Sequence, residues 1–169
     1  MTETIVSLPG VTIRSAERAG DLGWVVMAHG EQYAAEFDWD ASFEALVARI
    51  VADFAGSHDA AREAAWVAEL DGERVGCVLC VATDETTAKL RILLVSPQAR
   101  GRGVGAALVR TCVEFARDAE FERITLWTND VLVSARRIYE AAGFVLTDAE
   151  PHHSFGRDLV GQHWSLQLR

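Results

Sequence analysis

Three alternating glycines follow a short apolar run, and this pattern could hold a phosphate group. The run from Leu90 to Val95 is stopped by Ser96-Pro97, which fits a strand buried on both faces better than a helix. Gly101, Gly103 and Gly105 come next, and apolar residues then recur at helical spacing at Val104, Leu108, Cys112 and Phe115. A helix that begins in a glycine loop points unpaired N–H groups and the positive end of its dipole at that loop. This stretch therefore predicts a strand, an anion-binding loop and a helix.

The spacing of the loop narrows the kind of phosphate ligand. Gly101-x-Gly103-x-x-Ala106 satisfies the loose dinucleotide fingerprint, but a Rossmann loop begins almost directly after the first strand of a βαβ unit. Here five residues separate Val95 from Gly101, and a strand-rich segment precedes the loop. A P-loop is excluded because no Gly-Lys-Ser/Thr follows. An NAD-dependent oxidoreductase is therefore a disfavoured alternative.

The formal net charge of −9 disfavours nucleic acid as a partner and mildly favours cationic ones. This negative charge would also repel a polyanionic ligand. A local group of arginines near the loop can counter that repulsion: Arg91, Arg100, Arg102 and Arg110. A solvated face is the alternative role for such arginines. For Arg100 and Arg102, inside the loop, we favour contact with phosphate.

A second stretch that could do chemistry runs from Tyr33 to Asp40 and mixes aromatics with carboxylates, among them Glu36 and Asp38. It could line a pocket for a cationic substrate, or its aromatics could pack onto the core beside a helix start. Further along the chain, His152 and His153 are adjacent on a presumed strand, so their rings point to opposite faces and a zinc pair is not expected.

The composition indicates one domain that spans residues 1–169, half of it apolar, with a flexible lead over residues 1–10. No apolar run near 18 residues and no signal-peptide pattern occur, so a cytoplasmic protein without membrane contact is expected. Three cysteines argue against a disulfide framework. Cys77 and Cys80 form a CxxC, but strand geometry sends them to opposite faces, where they pack in the core.

The elements that position these residues can be read from the periodicity. We predict strands at 11–14, 65–70, 74–83, 90–95, 123–127, 144–152 and 162–168, with Asp71-Gly72 as a hairpin turn. Helices are predicted from Asp21, running on to Phe37 or breaking at Gly30, from about 42 to 55, from 104 to 119, and from about 134 to 142 with Gly143 as C-terminal cap. Strand 123–127 should run parallel to strand 90–95.

Two motifs and this order of elements resemble the GNAT superfamily of N-acetyltransferases. Gln98 to Gly103, Gln-Ala-Arg-Gly-Arg-Gly, is similar to its acyl-CoA motif Gln/Arg-x-x-Gly-x-Gly/Ala, and Ala135 to Phe144 is similar to Ala-x-x-x-Tyr-x-x-x-Gly-Phe. The resemblance covers nearly the whole chain. It implies an α/β fold: a mixed, mostly antiparallel central sheet with one parallel, splayed strand pair and flanking helices. The tail from His152 to Trp164 resembles a subgroup fused to MarR-type regulators.

The resemblance implies acetyl-CoA as the acyl donor, with no metal and no covalent enzyme intermediate. The residues it assigns to the cofactor are Leu93, Leu94 and Val95, whose backbone would pair with pantetheine, and Arg100, Gly101, Arg102, Gly103, Val104, Gly105 and Ala106, which would hold the pyrophosphate. Many members carry Asn where this chain has Leu132, and Asn129 is the candidate replacement.

The same resemblance places the Tyr139 phenol beside the CoA sulfur as a proton donor. Glu36 is our first candidate for the base, with Asp38, Glu69, Asp84 or a water chain as alternatives. Tyr33, Asp38, Trp127 and Asn129 are the expected substrate contacts.

The leading hypothesis is acetyl transfer to a primary amine of a small molecule or peptide by direct attack. A non-catalytic acyl-CoA sensor, suggested by Leu132, is the alternative, and retention of Tyr139 counts against it. A homodimer is one option for the assembly.

Overall fold

A computed structural model describes residues 8–169 as seven strands and four α-helices. The elements are β1 (Val11–Ser15), α1 (Asp21–Phe37), α2 (Ala41–Ser57), β2 (Ala64–Leu70), β3 (Glu73–Ala82), β4 (Thr87–Val95), α3 (Val104–Asp118), β5 (Arg123–Asn129), α4 (Val133–Ala141), β6 (Val145–Ser154) and β7 (Arg157–Gln167), with a 3₁₀ turn at Pro97–Ala99. Most of the lead that was expected to be flexible lies outside the described residues. Of its described part, the Gly10 carbonyl accepts a hydrogen bond from the Asp71 N–H at 3.1 Å.

The strands form one sheet in the order β1-β2-β3-β4-β5-β7-β6, in which only β4 and β5 run parallel. Helix α3 makes the crossover between those two strands, as a parallel pair requires. Their pairing is confined to Thr87–Lys89 against Arg123–Thr125. Beyond these residues the two strands separate, so the predicted mixed sheet with a splayed parallel pair is confirmed.

A β-bulge in β4 accompanies this opening. The register between β3 and β4 shifts between Cys77 and Leu79, and Ile92 on β4 has φ +48°. A bulge bends its strand and increases the local twist, and a β-branched residue at positive φ is rare. The bend therefore lies next to the point where β4 diverges from β5.

Helices cover both faces of the sheet and divide the core. Helices α3 and α4 pack on the face that holds Cys80, whereas α1 and α2 pack on the face that holds Cys77. Both thiols are fully buried and free, so the prediction that this CxxC is core packing on opposite faces is confirmed. Within residues 8–169, no helix has both the length and the apolar character needed to span a bilayer.

Two element boundaries can be compared with the predicted ones. Helix α1 continues through Gly30 to Phe37, which is the first of the two predicted alternatives, and Glu44 of α2 occupies the place that a Cβ on Gly30 would take. Strand β4 begins at Thr87, before the apolar run, because Asp84 accepts the Thr86 and Thr87 N–H groups at 2.8 Å and closes the turn early.

A buried ion pair fixes the start of α1. Asp21, with no solvent exposure, accepts hydrogen bonds from the Arg14 guanidinium at 2.8 and 3.0 Å, from Arg74 Nε at 2.8 Å and from the Arg18 N–H at 2.9 Å. Burial alone would raise the pKa of Asp21, but these donors together lower it to about 2. The carboxylate is therefore charged at all ordinary pH values.

Candidate active site

A cavity of about 420 Å³ opens where β4 leaves β5, between the C-terminal part of α1 and the N-terminal ends of α3 and α4. Its lining includes nearly all the residues expected to hold the cofactor: Leu93, Leu94, Val95, Arg100, Gly101, Gly103, Val104, Gly105 and Ala106. The rest of the wall consists of Gln32, Tyr33, Glu36, Phe37, Ala99, the segment 131–135 and Ile138. We call this space the loop cavity.

The glycine loop presents open backbone to the loop cavity. Gly101 and Gly103 both have φ +77°, a conformation that suits glycine, and a Cβ added to either would meet nothing within 4 Å. Gly103 is the N-cap of α3, and no side chain caps this helix. The first N–H groups of a helix lack intrahelical partners, so they can bind an anion here. The loop is therefore a candidate site for a phosphate group.

The edge of β4 that faces the opening pairs with no strand of residues 8–169 after Lys89. One of its acceptors is used by a side chain, because Gln32 Nε2 donates to the Val95 carbonyl at 3.1 Å. Gln32 was not singled out from the sequence. It ties α1 to the end of β4 and so shapes the wall along which an extended ligand chain would lie.

The arginines of the loop region have different surroundings. Arg100 lines the loop cavity and makes an ion pair with Glu36, whereas Arg102 and Arg110 are exposed and line no described cavity wall. Arg91 does not belong to this group, since its side chain lies in a different cavity. Of the four arginines predicted near the loop, Arg100 is the one that lines the loop cavity.

A second cavity, of about 440 Å³, lies on the side of the open strand pair that α1 and α2 cover. We call it the aromatic cavity. It is lined by His29, Tyr33, Trp39, Phe43, Leu46, Val47, Ile50, Lys89, Leu90, Arg91, Ile92, Leu93, Trp127, Thr128, Asn129, Leu132, Tyr139, Glu150, Phe155 and His163. Tyr33, Leu93 and Leu132 line both cavities. The two spaces therefore adjoin at these three residues.

Tyr139 is positioned by α4 and lines the aromatic cavity. Its ring is 5% exposed and packs edge-on to Phe144, with centroids 5.9 Å apart. The hydroxyl makes no hydrogen bond within residues 8–169. Burial raises the pKa of Tyr139 well above its ordinary value, so the phenol keeps its proton at neutral pH and has it available to donate.

His29 is a polar lining residue that the sequence did not indicate. Its Nδ1 donates to the Val25 carbonyl at 2.7 Å, and its buried Nε2 has no partner in the described part of the chain. Burial lowers the pKa of His29 to about 4. The imidazole is therefore neutral at pH 7 and leaves one acceptor nitrogen beside the cavity.

Trp127 and Asn129 lie where they were expected, at the end of β5 in the wall of the aromatic cavity. Asn129 Oδ1 accepts from His152 Nε2 at 2.8 Å, and the His152 ring lies 5.3 Å from that of Trp127. Asn129 does not line the loop cavity. Leu132, by contrast, lines both spaces.

His152 and His153 diverge as expected. His152 contacts Asn129 and Ser154, whereas His153 is exposed and contacts Asp158. Among residues 8–169, His, Cys, Asp and Glu form no group of three or more that could hold a metal ion.

The predicted carboxylates are not brought together. Glu36 lines the loop cavity, and Asp38 is exposed and pairs with Arg157 outside both cavities. Glu69 pairs with Arg14, and Asp84 closes the β3–β4 turn. Glu150 of β6, which sequence reasoning missed, is the carboxylate that lines the aromatic cavity in the described part of the chain.

Comparison with known proteins agrees with this architecture. Residues 27–144 match the Acetyltransferase (GNAT) family. The chain therefore belongs to the GNAT family, as its motifs predicted.

Particular relatives are similar over part of their length. N-acetyltransferase 8B of Homo sapiens is 36% identical over 110 residues, which are 61% of this chain and 48% of that protein. N-acetylaspartate synthetase of Rattus norvegicus is 38% identical over 89 residues, which are 52% of this chain and 30% of that protein. The chain thus spans less than half the length of these curated relatives. The structure of yncA from Salmonella typhimurium, solved with its cofactor acetyl-CoA, has a TM-score of 0.76 at 19% identity over 95% of each chain, a likeness in fold alone.

Proposed function

We propose that this protein transfers an acetyl group from acetyl-CoA to a primary amine of a small molecule or peptide. The observation that carries the proposal is the junction at Tyr33, Leu93 and Leu132, where an anion-ready loop cavity meets a substrate-sized aromatic cavity. Relatives named as N-acetyltransferases support the same activity. Direct transfer between two bound substrates requires such adjoining sites, because positioning supplies much of the rate.

Acetyl-CoA would lie along β4, with Leu93, Leu94 and Val95 beside its pantetheine arm and the residues Gly101–Ala106 around its pyrophosphate. When bound, it supplies an activated acyl thioester. The α3 N–H groups neutralise phosphate charge, and Arg100 adds a cation near them. Arg102, exposed at the loop, is available for the same purpose.

Two protons have to move during the reaction. A lysine-like amine, with a pKa of about 10.4, must lose one, and a departing thiolate, whose thiol has a pKa of about 8.5, gains one. We assign the donor to Tyr139, whose phenol is protonated and unpartnered. For the acceptor we favour Glu150, acting directly or through water, because it lines the aromatic cavity. Glu36 stays a second candidate, although Arg100 engages its carboxylate.

Trp127, Asn129 and Tyr33 are proposed substrate contacts because they line the aromatic cavity. Asp38 is a weaker candidate, since it lies outside the cavity wall. Membership of the subgroup fused to MarR-type regulators, a cytoplasmic location and a homodimer are further predictions that rest on the sequence alone.

A sensor that binds acyl-CoA without turnover is the second candidate function. It is favoured by Leu132, which puts an apolar side chain where many family members carry asparagine. Turnover with any amine would exclude it.

The test is calorimetric binding of acetyl-CoA to an Ala106→Glu variant. Ala106 lies in the first turn of α3, lines the loop cavity and is exposed, so a glutamate there suits the helix but repels pyrophosphate. Ala106→Gln is the matched neutral control. We expect the Glu variant to bind acetyl-CoA at least ~10-fold more weakly than the Gln variant. Equal affinities, or binding of NADH instead, would exclude the proposed cofactor site.

A further inference from the structure

Two cationic side chains of β4 line the aromatic cavity. Lys89 and Arg91 are two residues apart on the strand and therefore project to the same face. Their partners on β3 are Val81 and Leu79, whose side chains pack toward α2. Both cations are half-buried in the cavity wall.

No carboxylate forms an ion pair with either cation in the described part of the chain. Neither makes an ion pair or a side-chain hydrogen bond within residues 8–169. Burial lowers the pKa of both groups, and Arg91 further lowers that of Lys89, while Asp53 only partly offsets the effect on Arg91. Two like charges held together in a partly desolvated wall are unfavourable unless an anion joins them.

The anionic side of the cavity comes from the other half of the sheet. Glu150 stands on β6, whereas Lys89 and Arg91 stand on β4, on the opposite side of the open strand pair. The aromatic cavity thus presents a cationic wall and one carboxylate. This polarity is the reverse of the acidic pocket expected from Glu36 and Asp38, because those carboxylates lie elsewhere.

Resting on the proposed acetyl transfer, we infer that the acceptor is an amino acid with a free carboxylate, which Lys89 and Arg91 bind while its amine faces the junction with the loop cavity. Leu93, at that junction, follows Arg91 by two residues across the Ile92 bulge, so their backbone positions are at most about 7 Å apart. The cationic wall therefore begins beside the junction. An amino acid carries an anion for this wall and an amine for the junction in one small molecule, whereas a polyamine offers no anion.

The experiment measures release of CoA thiol with the common L-amino acids, each paired with its primary amide. Each pair differs in the carboxylate alone. For the amino acid that the enzyme accepts, we expect kcat/KM to be at least ~10-fold higher than for its amide. Arg91→Gln and Lys89→Gln should each lower kcat/KM for the acid by roughly 10- to 100-fold, as loss of a hydrogen bond to a charged group does. The value for the amide and the KM for acetyl-CoA should stay unchanged.

Arg49→Gln is the matched control. Arg49 is exposed on α2, whose neighbouring residues line the cavity, and it lies outside the cavity wall. Its loss removes the same charge and should leave the preference for acids intact. If Arg91→Gln fails to fold, as judged by its thermal melt, Lys89→Gln carries the test.

The outcomes separate the inference from the proposed function. Acetylation of the amides in preference to the free acids overturns the amino-acid site and leaves acetyl transfer standing. An unchanged preference for acids in both variants also overturns it. Acetylation of no amine at all would overturn the inference and the proposed transfer together.

Discussion

Removal of one oxygen from Tyr139 should slow catalysis without disturbing the fold. The hydroxyl makes no hydrogen bond in the described part of the chain, and the ring packs on Phe144 through carbon atoms. Tyr139→Phe therefore keeps the packing and leaves no partner unsatisfied. We expect its melting temperature to stay within a few degrees of the wild-type value and its affinity for acetyl-CoA to be unchanged.

The size of the rate loss follows from the acidity of the phenol. General acid catalysis contributes roughly 10²–10⁴-fold to the rate, and the contribution is largest when the pKa of the acid lies near the working pH. Burial raises the pKa of Tyr139 further above the ordinary ~10, so this donor is weak against a thiolate whose acid has a pKa near ~8.5. We therefore expect a fall in kcat near the lower limit, about 10²-fold or about 2.7 kcal/mol.

The raised pKa also predicts the pH profile. A tyrosine that titrates above its ordinary range stays protonated up to pH ~10, so any decline in kcat below that pH belongs to another group and should persist in Tyr139→Phe. The assay is CoA release under saturating acetyl-CoA from pH 6 to 10. Tyr33→Phe removes the same atom from the other tyrosine of the chain, at the junction of the cavities, and should change the KM for the amine rather than kcat. A near-normal kcat in Tyr139→Phe would refute the donor role.

Three further variants test the fold and the aromatic cavity. Asp21→Asn removes the buried carboxylate from between Arg14 and Arg74, leaves Arg14 with Glu69 alone, and should lower the free energy of unfolding by about 3–5 kcal/mol in urea titrations. Because the pKa of Asp21 falls from 3.8 to about 2 on folding, the wild-type protein should lose about 2 kcal/mol of stability as the pH falls from about 4 to 2. This loss should be absent from the variant. Gly161→Ala would place a Cβ 2.8–3.0 Å from the Trp127 indole and should raise the KM for the amine while the Kd for acetyl-CoA holds, so equal effects on both would contradict a cavity defined by that ring. Glu150→Gln should lower kcat while the Kd for acetyl-CoA holds, because it removes the carboxylate that lines the aromatic cavity, and an unchanged kcat would assign the base elsewhere.

The features that the sequence predicted are those encoded within a few residues. Asp71-Gly72 forms the expected tight turn, with φ values of +51° and +85°, because its residue types favour that backbone. The glycine loop likewise adopts positive φ at Gly101 and Gly103. The alternation of Cys77 and Cys80 placed each thiol on its correct face. In each case local chemistry and local geometry agree.

The polarity of the candidate site was not predictable, because it depends on which distant strands share a cavity. Glu36 and Asp38 drew attention as neighbours in sequence, yet Arg100 and Arg157 engage them. Lys89 was overlooked because it precedes the apolar run, in residues that the Asp84 turn converts to strand. The net charge of −9 describes the surface as a whole and says nothing of one cavity wall.

The bulge at Ile92 escaped prediction for a different reason. A β-branched residue is the type least suited to φ +48°, so no propensity favours it there. The surrounding strands impose this conformation, and only the assembled sheet reveals it. The folded protein keeps this strained backbone beside the cleft, where the bend in β4 opens the space in which the two cavities meet.

The short parallel pairing between β4 and β5 is a weak connection between the two halves of the sheet. Three residue pairs between β4 and β5 join a half-sheet of β1–β4 to a half-sheet of β5, β7 and β6. Amide hydrogens along this seam should exchange with solvent sooner than those in the centre of either half, because fewer bonds must break to expose them. A ligand that fills the cleft contacts both halves and links them. At a free ligand concentration of 100 times its Kd, it adds about 2.7 kcal/mol to the free energy of unfolding. We therefore expect relative motion of the two half-sheets to be smaller when a ligand occupies the cleft than when the cleft is empty.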